Sequence, residues 1–146
     1  MSTVTLSQAD QIVTAALAHG RAASMKPLTV AVLDAGGHLV ALKREDHSSL
    51  LRPQIATGKA WGTLALGFGC REIAKRAAVA PAFIGALSDM SGGKVVPVPG
   101  GVLIKNSAGA ILGAVGISGD LSENDEACAV AGIQKAGLVP DTGAAS

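Results

Sequence analysis

Charged and titratable side chains are sparse in this chain, so the places where they gather are conspicuous. Arg44, Glu45, Asp46 and His47 form one polar cluster. A guanidinium there can clamp a carboxylate through parallel hydrogen bonds; the plainer interpretation is a solvated strand end. Gly92, Gly93 and Lys94 lie just before Pro99, Gly100 and Gly101. Such loops can offer backbone N–H groups and one ammonium to an anion, or they simply turn the chain. Asp120 and Asp125 come close together later. A pair of carboxylates can do acid–base work. Asp125 also fits a helix start, where it would satisfy backbone donors, and Asp120 is then the candidate to line a pocket with residues 99–101. Lys59 is either a helix-end cation or a lone charge facing a pocket. The histidines are His19, His38 and His47, and no His/Cys/Asp spacing suggests zinc.

The elements that must position these groups follow from pattern. Ser7 is the expected N-cap of a first helix, with Asp10 in capping-box position. Ala9, Ile12, Val13, Ala16 and Leu17 then recur at helical spacing, placing His19 at the flank of the apolar face. Residues 28–33 (LTVAVL) and 38–44 (HLVALKR) read as a hairpin around the turn residues DAGG. Residues 52–69 predict a helix rich in small residues, which would let a neighbouring backbone approach closely. Helix continues over 71–79, and Pro81 interrupts it before another turn or two to residue 87. Residues 95–98 suggest a short, proline-flanked edge strand. Residues 102–105 and 111–118 predict strands around the loop NSAGA. Ser122 is expected to cap a last helix, with Glu123, Asp125 and Glu126 in its first turn and Gly137 beyond its end. Residues 140–146 read as a frayed tail. Strands arriving as hairpins predict an α+β domain, 1–146, with a mostly antiparallel sheet of about five strands flanked by helices.

Composition bounds the function. Net charge is +1 with no basic block, which excludes a nucleic-acid footprint. Charged residues are 16% of the chain, against roughly 25% in typical soluble domains, and mean hydropathy is +0.42. A spanning helix needs about 20 mostly apolar residues, and residues 108–117 fall well short, so no membrane is expected. The remaining account of the apolarity is a homo-oligomer. The start MSTVTLSQADQ lacks the basic and apolar regions of a signal peptide. Cys70 and Cys128 form no CxxC pair. A reduced, cytoplasmic location is expected, with Cys128 a small core residue and Cys70, between Gly69 and Arg71, either buried or modestly activated.

Four strings in order carry a wider resemblance: VAVLDAGGHLVALKRED (30–46), IATGKA (55–60), VPVPGGVLI (96–104) and GAVGISGDLSENDE (113–126). Together they resemble the GlcG/HbpS-like family, described as haem-binding or haem-degrading-like and found also at the C-terminus of some cobalamin adenosyltransferases. The resemblance runs from about residue 6 to 138. It implies a profilin-like fold, a five-stranded antiparallel sheet with helices, usually in a homo-oligomer, and haem as a cofactor in some members. It points to His19 as a possible haem iron ligand, since imidazole commonly holds haem iron. Only Trp61, Phe68 and Phe83 are aromatic, so aliphatic walls would have to line such a pocket.

The expected function is an oligomeric cytosolic protein that binds haem or another small molecule, in an accessory role to a catabolic operon. Its helical face would dock the ligand, and Gly92, Gly93, Lys94, Pro99, Gly100 and Gly101 would hold the carboxylates, with Arg44, Lys59 and Asp120 around them. The alternative is a small cofactor-independent enzyme acting on an organic acid or related metabolite. It would bind through Arg44 and move protons through Asp120, His47 or Lys94. A third is an accessory subunit without chemistry.

Overall fold

The computed structural model describes residues 2–145. Helix α1 (Leu6–Ala22) leads into a hairpin of β1 (Thr29–Asp34) and β2 (Leu39–Arg44). Three helices follow: α2 (Arg52–Leu66), α3 (Cys70–Val79) and α4 (Pro81–Met90). Then come β3 (Gly101–Lys105), β4 (Ile111–Ser118), α5 (Ser122–Lys135) and β5 (Val139–Asp141). The five strands lie in the order β2-β1-β4-β3-β5, and every pairing is antiparallel. The α+β architecture expected from the hairpin pattern is the one observed.

Alternation along the strands divides the core into two faces. Val30, Val32, Val102, Ile104, Val115 and Ile117 pack against Ile12, Val13 and Ala16 of α1 and Cys128, Ala129 and Ile133 of α5. Leu33, Leu103 and Ala114 point the other way, onto Ala60, Trp61 and Leu64 of α2. Gly132 lies against Ile12 and Ala16, and Gly20 against Cys128, so α1 and α5 run antiparallel.

The small residues of α2 have an intramolecular cause. Ala31, Gly116 and Gly101 align across three strands. A Cβ on Gly116 would lie 1.8 Å from the Ala56 carbonyl oxygen, and one on Gly101 would lie 2.4 Å from that of Lys59. Helix backbone sits on sheet backbone, which only glycine permits. Gly58 and Gly62 face the chain's own segment 93–96. The stripe is therefore a seat within the fold, not a surface kept for another copy.

Several boundaries differ from expectation. Helix α1 is capped by Thr5, not Ser7: the Thr5 hydroxyl accepts from Gln8 N while the Gln8 side chain accepts from Thr5 N. Leu121, not Ser122, is the N-cap of α5. Residues 95–98 form no strand. Pro97 and Pro99 have no N–H to give, and Val98 N turns back onto Val96 O at 2.9 Å. The fifth strand comes instead from the expected frayed tail. Val139, Pro140 and Asp141 pair with β3, and Lys105 holds Asp141 at 2.6 Å. Pro140 is tolerated because β5 is an edge. The next residues are fixed too, since Arg71 N donates to Thr142 O at 3.1 Å; Ser146 lies outside the described residues. Among the described residues no helix is long and apolar enough to cross a membrane.

Candidate functional site

The groups that looked chemical in the sequence fall in four separate places. The most buried is the junction around Lys59. Small neighbours on α2 let this side chain run inward, and it is 2% exposed. Its Nζ donates to Ile117 O at 2.8 Å and meets Asp125 Oδ2 at 3.3 Å. Asp125 Oδ1 accepts from Asp120 N at 2.9 Å. Burial pushes the Lys59 ammonium pKa down and the Asp125 carboxyl pKa up, each partly offset by the other. Gly100 and Gly101 cover this lysine. A Cβ on Gly100 would be 2.7 Å from Nζ, and Gly100 also holds a φ of 122°. Lys59, Gly100 and Gly101 are thus packed together in the interior, and the placement of Lys59 at a pocket wall is corrected. Pro99, beside them, is half-buried. The Cys70 thiol donates to Lys59 O at 3.3 Å, and burial pushes its pKa up to about 12. It is not an activated thiol.

Asp120 is a structural carboxylate. It accepts from Asn124 Nδ2, from Lys26 N and from Leu121 N at 2.6, 2.8 and 2.8 Å. Those bonds, that from Asn124 first, lower its pKa to about 2. A group so engaged has little capacity left as a general base.

The loop at Gly92, Gly93 and Lys94 is a helix end. Helix α4 runs on to Met90, so these N–H groups serve its carbonyls. Gly92 N donates to Asp89 O and Gly93 N to Ser88 O, while Lys94 N donates to the Ser91 hydroxyl. The expected anion cradle is absent because its donors point inward. Lys94 keeps its charge outside, 5.4 Å from the Trp61 ring centroid, beside a recess shared with Pro53, Gln54 and Thr57.

Arg44 and His47 line another recess, beyond the open end of the β1–β2 hairpin, with Arg21, Pro27, Glu45 and Asp46. Neither Lys94 nor Asp120 lines it, so of the groups the organic-acid alternative names this recess brings together Arg44 and His47 alone.

His19 is the sequence candidate that stands in a large apolar depression. It is exposed, on the outer side of α1 rather than partly buried against the core. A groove of about 760 Å³ runs along α1 and α5, walled by Thr14, Ala15, Ala18 and Ala131, with Asp10, Gln11, His19 and Lys135 also lining it. His19 and Asp10 are about nine residues, hence about 13 Å, apart along α1. The antiparallel packing sets Lys135, one turn beyond Gly132, toward the Asp10 end. Asp10 is drawn to Lys43 at 3.6 Å. Among the described residues neither the His19 ring nor the Lys135 ammonium has a protein hydrogen-bond partner.

A family model described as haem degrading protein HbpS-like matches residues 4–134. The chain belongs to the HbpS-like family. Among solved structures of similar proteins, a PduOC:haem complex is 26% identical over 93% of this chain and 96% of that one, with a TM-score of 0.81. The Klebsiella pneumoniae protein ORFY is 26% identical over 94% and 92%, with a TM-score of 0.83. A double mutant of HbpS from Streptomyces reticuli is 26% identical over 92% and 87%, with a TM-score of 0.80. No curated protein sequence matches.

In this HbpS-like chain His19 is the sequence candidate that lines the groove, while the rest of its lining was not among the candidates. Lys135, in the last turn of α5, carries no sequence signal beyond that of a helix-end cation. The signal that would have found the groove is the run of alanines on the solvent side of α1 and α5, where an isolated amphipathic helix would carry charge.

Proposed function

We propose that this chain binds haem in the α1/α5 groove, with the His19 imidazole as the protein's iron ligand and the Lys135 ammonium holding a propionate. The observation that carries this is the groove itself. An imidazole and an ammonium that make no hydrogen bond or ion pair among the described residues lie toward opposite ends of an alanine-walled depression. The donor set fits the group. A planar apolar ring needs smooth aliphatic walls, its acidic edge needs a cation, and neutral imidazole is a common haem ligand. Bound haem would supply a redox-active iron; the chain's own part is to bind, orient and partly shield it. The family and the haem complex of PduOC support this choice over other planar acids.

The chain is proposed to act as a cytosolic homo-oligomer. Leu50, Val79 and Met90 are 92%, 85% and 81% exposed, a heavy apolar load for a lone chain of this size. Both cysteines are free and buried, in keeping with a reducing compartment. Sedimentation showing one species near 14.4 kDa at working concentrations would refute the oligomer.

Titration with haemin tests the main proposal. The expected result is a saturable Soret band whose position shifts in His19→Ala, with weaker affinity, while His38→Ala behaves as wild type. No saturable band, or an unaltered spectrum in folded His19→Ala, would overturn His19 as the ligand.

A further inference from the structure

The recess around Arg44 carries an inference independent of haem. Six lysine or arginine ion pairs and a His38–Asp34 contact are formed among the described residues, and neither Arg44 nor Asp46 takes part in one. Arg44 is nonetheless held in place. Its Nη1 donates to Ser48 O at 2.8 Å, and buried Ser48 has its hydroxyl 2.8 Å from that of Thr29. The bond uses Nη1, and among the described residues the Nε–Nη2 edge of the guanidinium has no partner. Arg71 shows what that edge does when a carboxylate is present: its Nε and Nη2 take both oxygens of Glu126 at 3.1 and 2.8 Å.

The recess is about 480 Å³ in volume. Two of its charges cancel. Glu45 is engaged on both oxygens, with Oε1 accepting from Leu28 N at 2.7 Å and Oε2 paired with Arg21 Nε at 2.9 Å. Arg21 also gives Nη2 to the carbonyls of Met25 and Lys26. What remains is one cation, Arg44, and one anion, Asp46, both lining the recess and not paired with each other among the described residues. His47 completes the rim with a φ of 69°, a conformation uncommon outside glycine. It belongs to the turn closed by Ser48 N and Glu45 O at 3.1 Å.

We infer that this recess binds a free α-amino acid as its zwitterion, the carboxylate on the Arg44 Nε–Nη2 edge and the ammonium on Asp46. A simple carboxylate would leave Asp46 repelling it, and a simple amine would meet the same opposition from Arg44. A ligand that carries both charged groups on one carbon satisfies both residues and keeps the recess neutral. The bidentate edge sets the carboxylate plane, which a point charge cannot do.

An NMR titration of the whole chain tests this. L-alanine is expected to shift the amide signals of residues 44–48 saturably, while propionate and ethylamine at equal concentration do not. Arg44→Lys keeps the charge but loses the edge, and Asp46→Asn keeps the shape but loses the charge. Each is expected to weaken L-alanine binding about tenfold or more. If Arg44→Lys does not fold, the exposed Asp46→Asn decides alone. Propionate acting as strongly as L-alanine, no saturable shift with L-alanine, or full affinity in a folded variant would overturn the assignment.

Discussion

The Lys59–Asp125 junction and the α1/α5 groove use similar charged groups to opposite ends. At the junction an ammonium and a carboxylate are 3% and 1% exposed and each has further partners. In the groove an imidazole and an ammonium face water with no partner among the described residues. Burying a charge is costly, so a buried one is retained only where the fold satisfies it completely. A satisfied group has nothing left for a ligand. Availability, rather than the presence of charge, separates a binding residue from a structural one, and on that criterion Lys59 and Asp120 are structural while His19 and Lys135 remain available.

The strongest way to break this contrast is to cut the junction. Lys59→Met or Asp125→Leu alone leaves an uncompensated buried charge and is expected to cost about 3–5 kcal/mol in urea unfolding. The double variant is expected to be more stable than either single one. Additive losses would show that the pair is not the unit. Next is the helix seat beside it. Gly116→Ala places a methyl against the Ala56 carbonyl and is expected to cost at least about 1–3 kcal/mol. Gly85→Ala, in α4 with nothing within 4 Å, is expected to stabilise by up to about 1 kcal/mol. Thermal melts of the two should move in opposite directions.

Acid sharpens the contrast from the Asp120 side. The folded pKa of Asp120 is lowered from 3.8 to about 2. Its contribution is therefore complete above the ordinary value and lost as pH falls through about 2. Between those values Asp120→Asn should lose stability less steeply than wild type. A parallel decline in both proteins would show that Asp120 does not govern that limb. The smallest effect belongs to the groove. Lys135→Ala should leave stability within about 0.5 kcal/mol of wild type. It should weaken haemin binding about twofold to fivefold, as expected for an exposed ion pair; equal affinity by absorbance titration would remove Lys135 from the proposal.

What the sequence could show followed the range of each signal. The β1–β2 hairpin was legible because LTVAVL, DAGG and HLVALKR are local patterns. Strand β5 was not, since three residues with a central proline carry no alternation; only pairing with β3 makes them a strand. Lys59 could not be assigned because its partner lies 66 residues away. Gly92 and Gly93 misled because their N–H groups are free or occupied according to where α4 stops. His19 could be placed beside the apolar face of α1 from helical spacing, but its exposure depended on which side α5 packs.

The bond from Arg71 N to Thr142 O spans 71 positions of the chain, 142 less 71. Gly69 lies directly under the same segment, where a Cβ would come 2.1 Å from the Thr142 carbonyl carbon. The first turn of α3 is therefore completed by chain that arrives only after β3, β4 and α5 are in place. Distant closures of this kind are entropically late. Helix α3 is thus expected among the last elements to gain protection from hydrogen exchange during refolding. Cleavage after Leu138 should release it first, while the sheet's central strands stay closed.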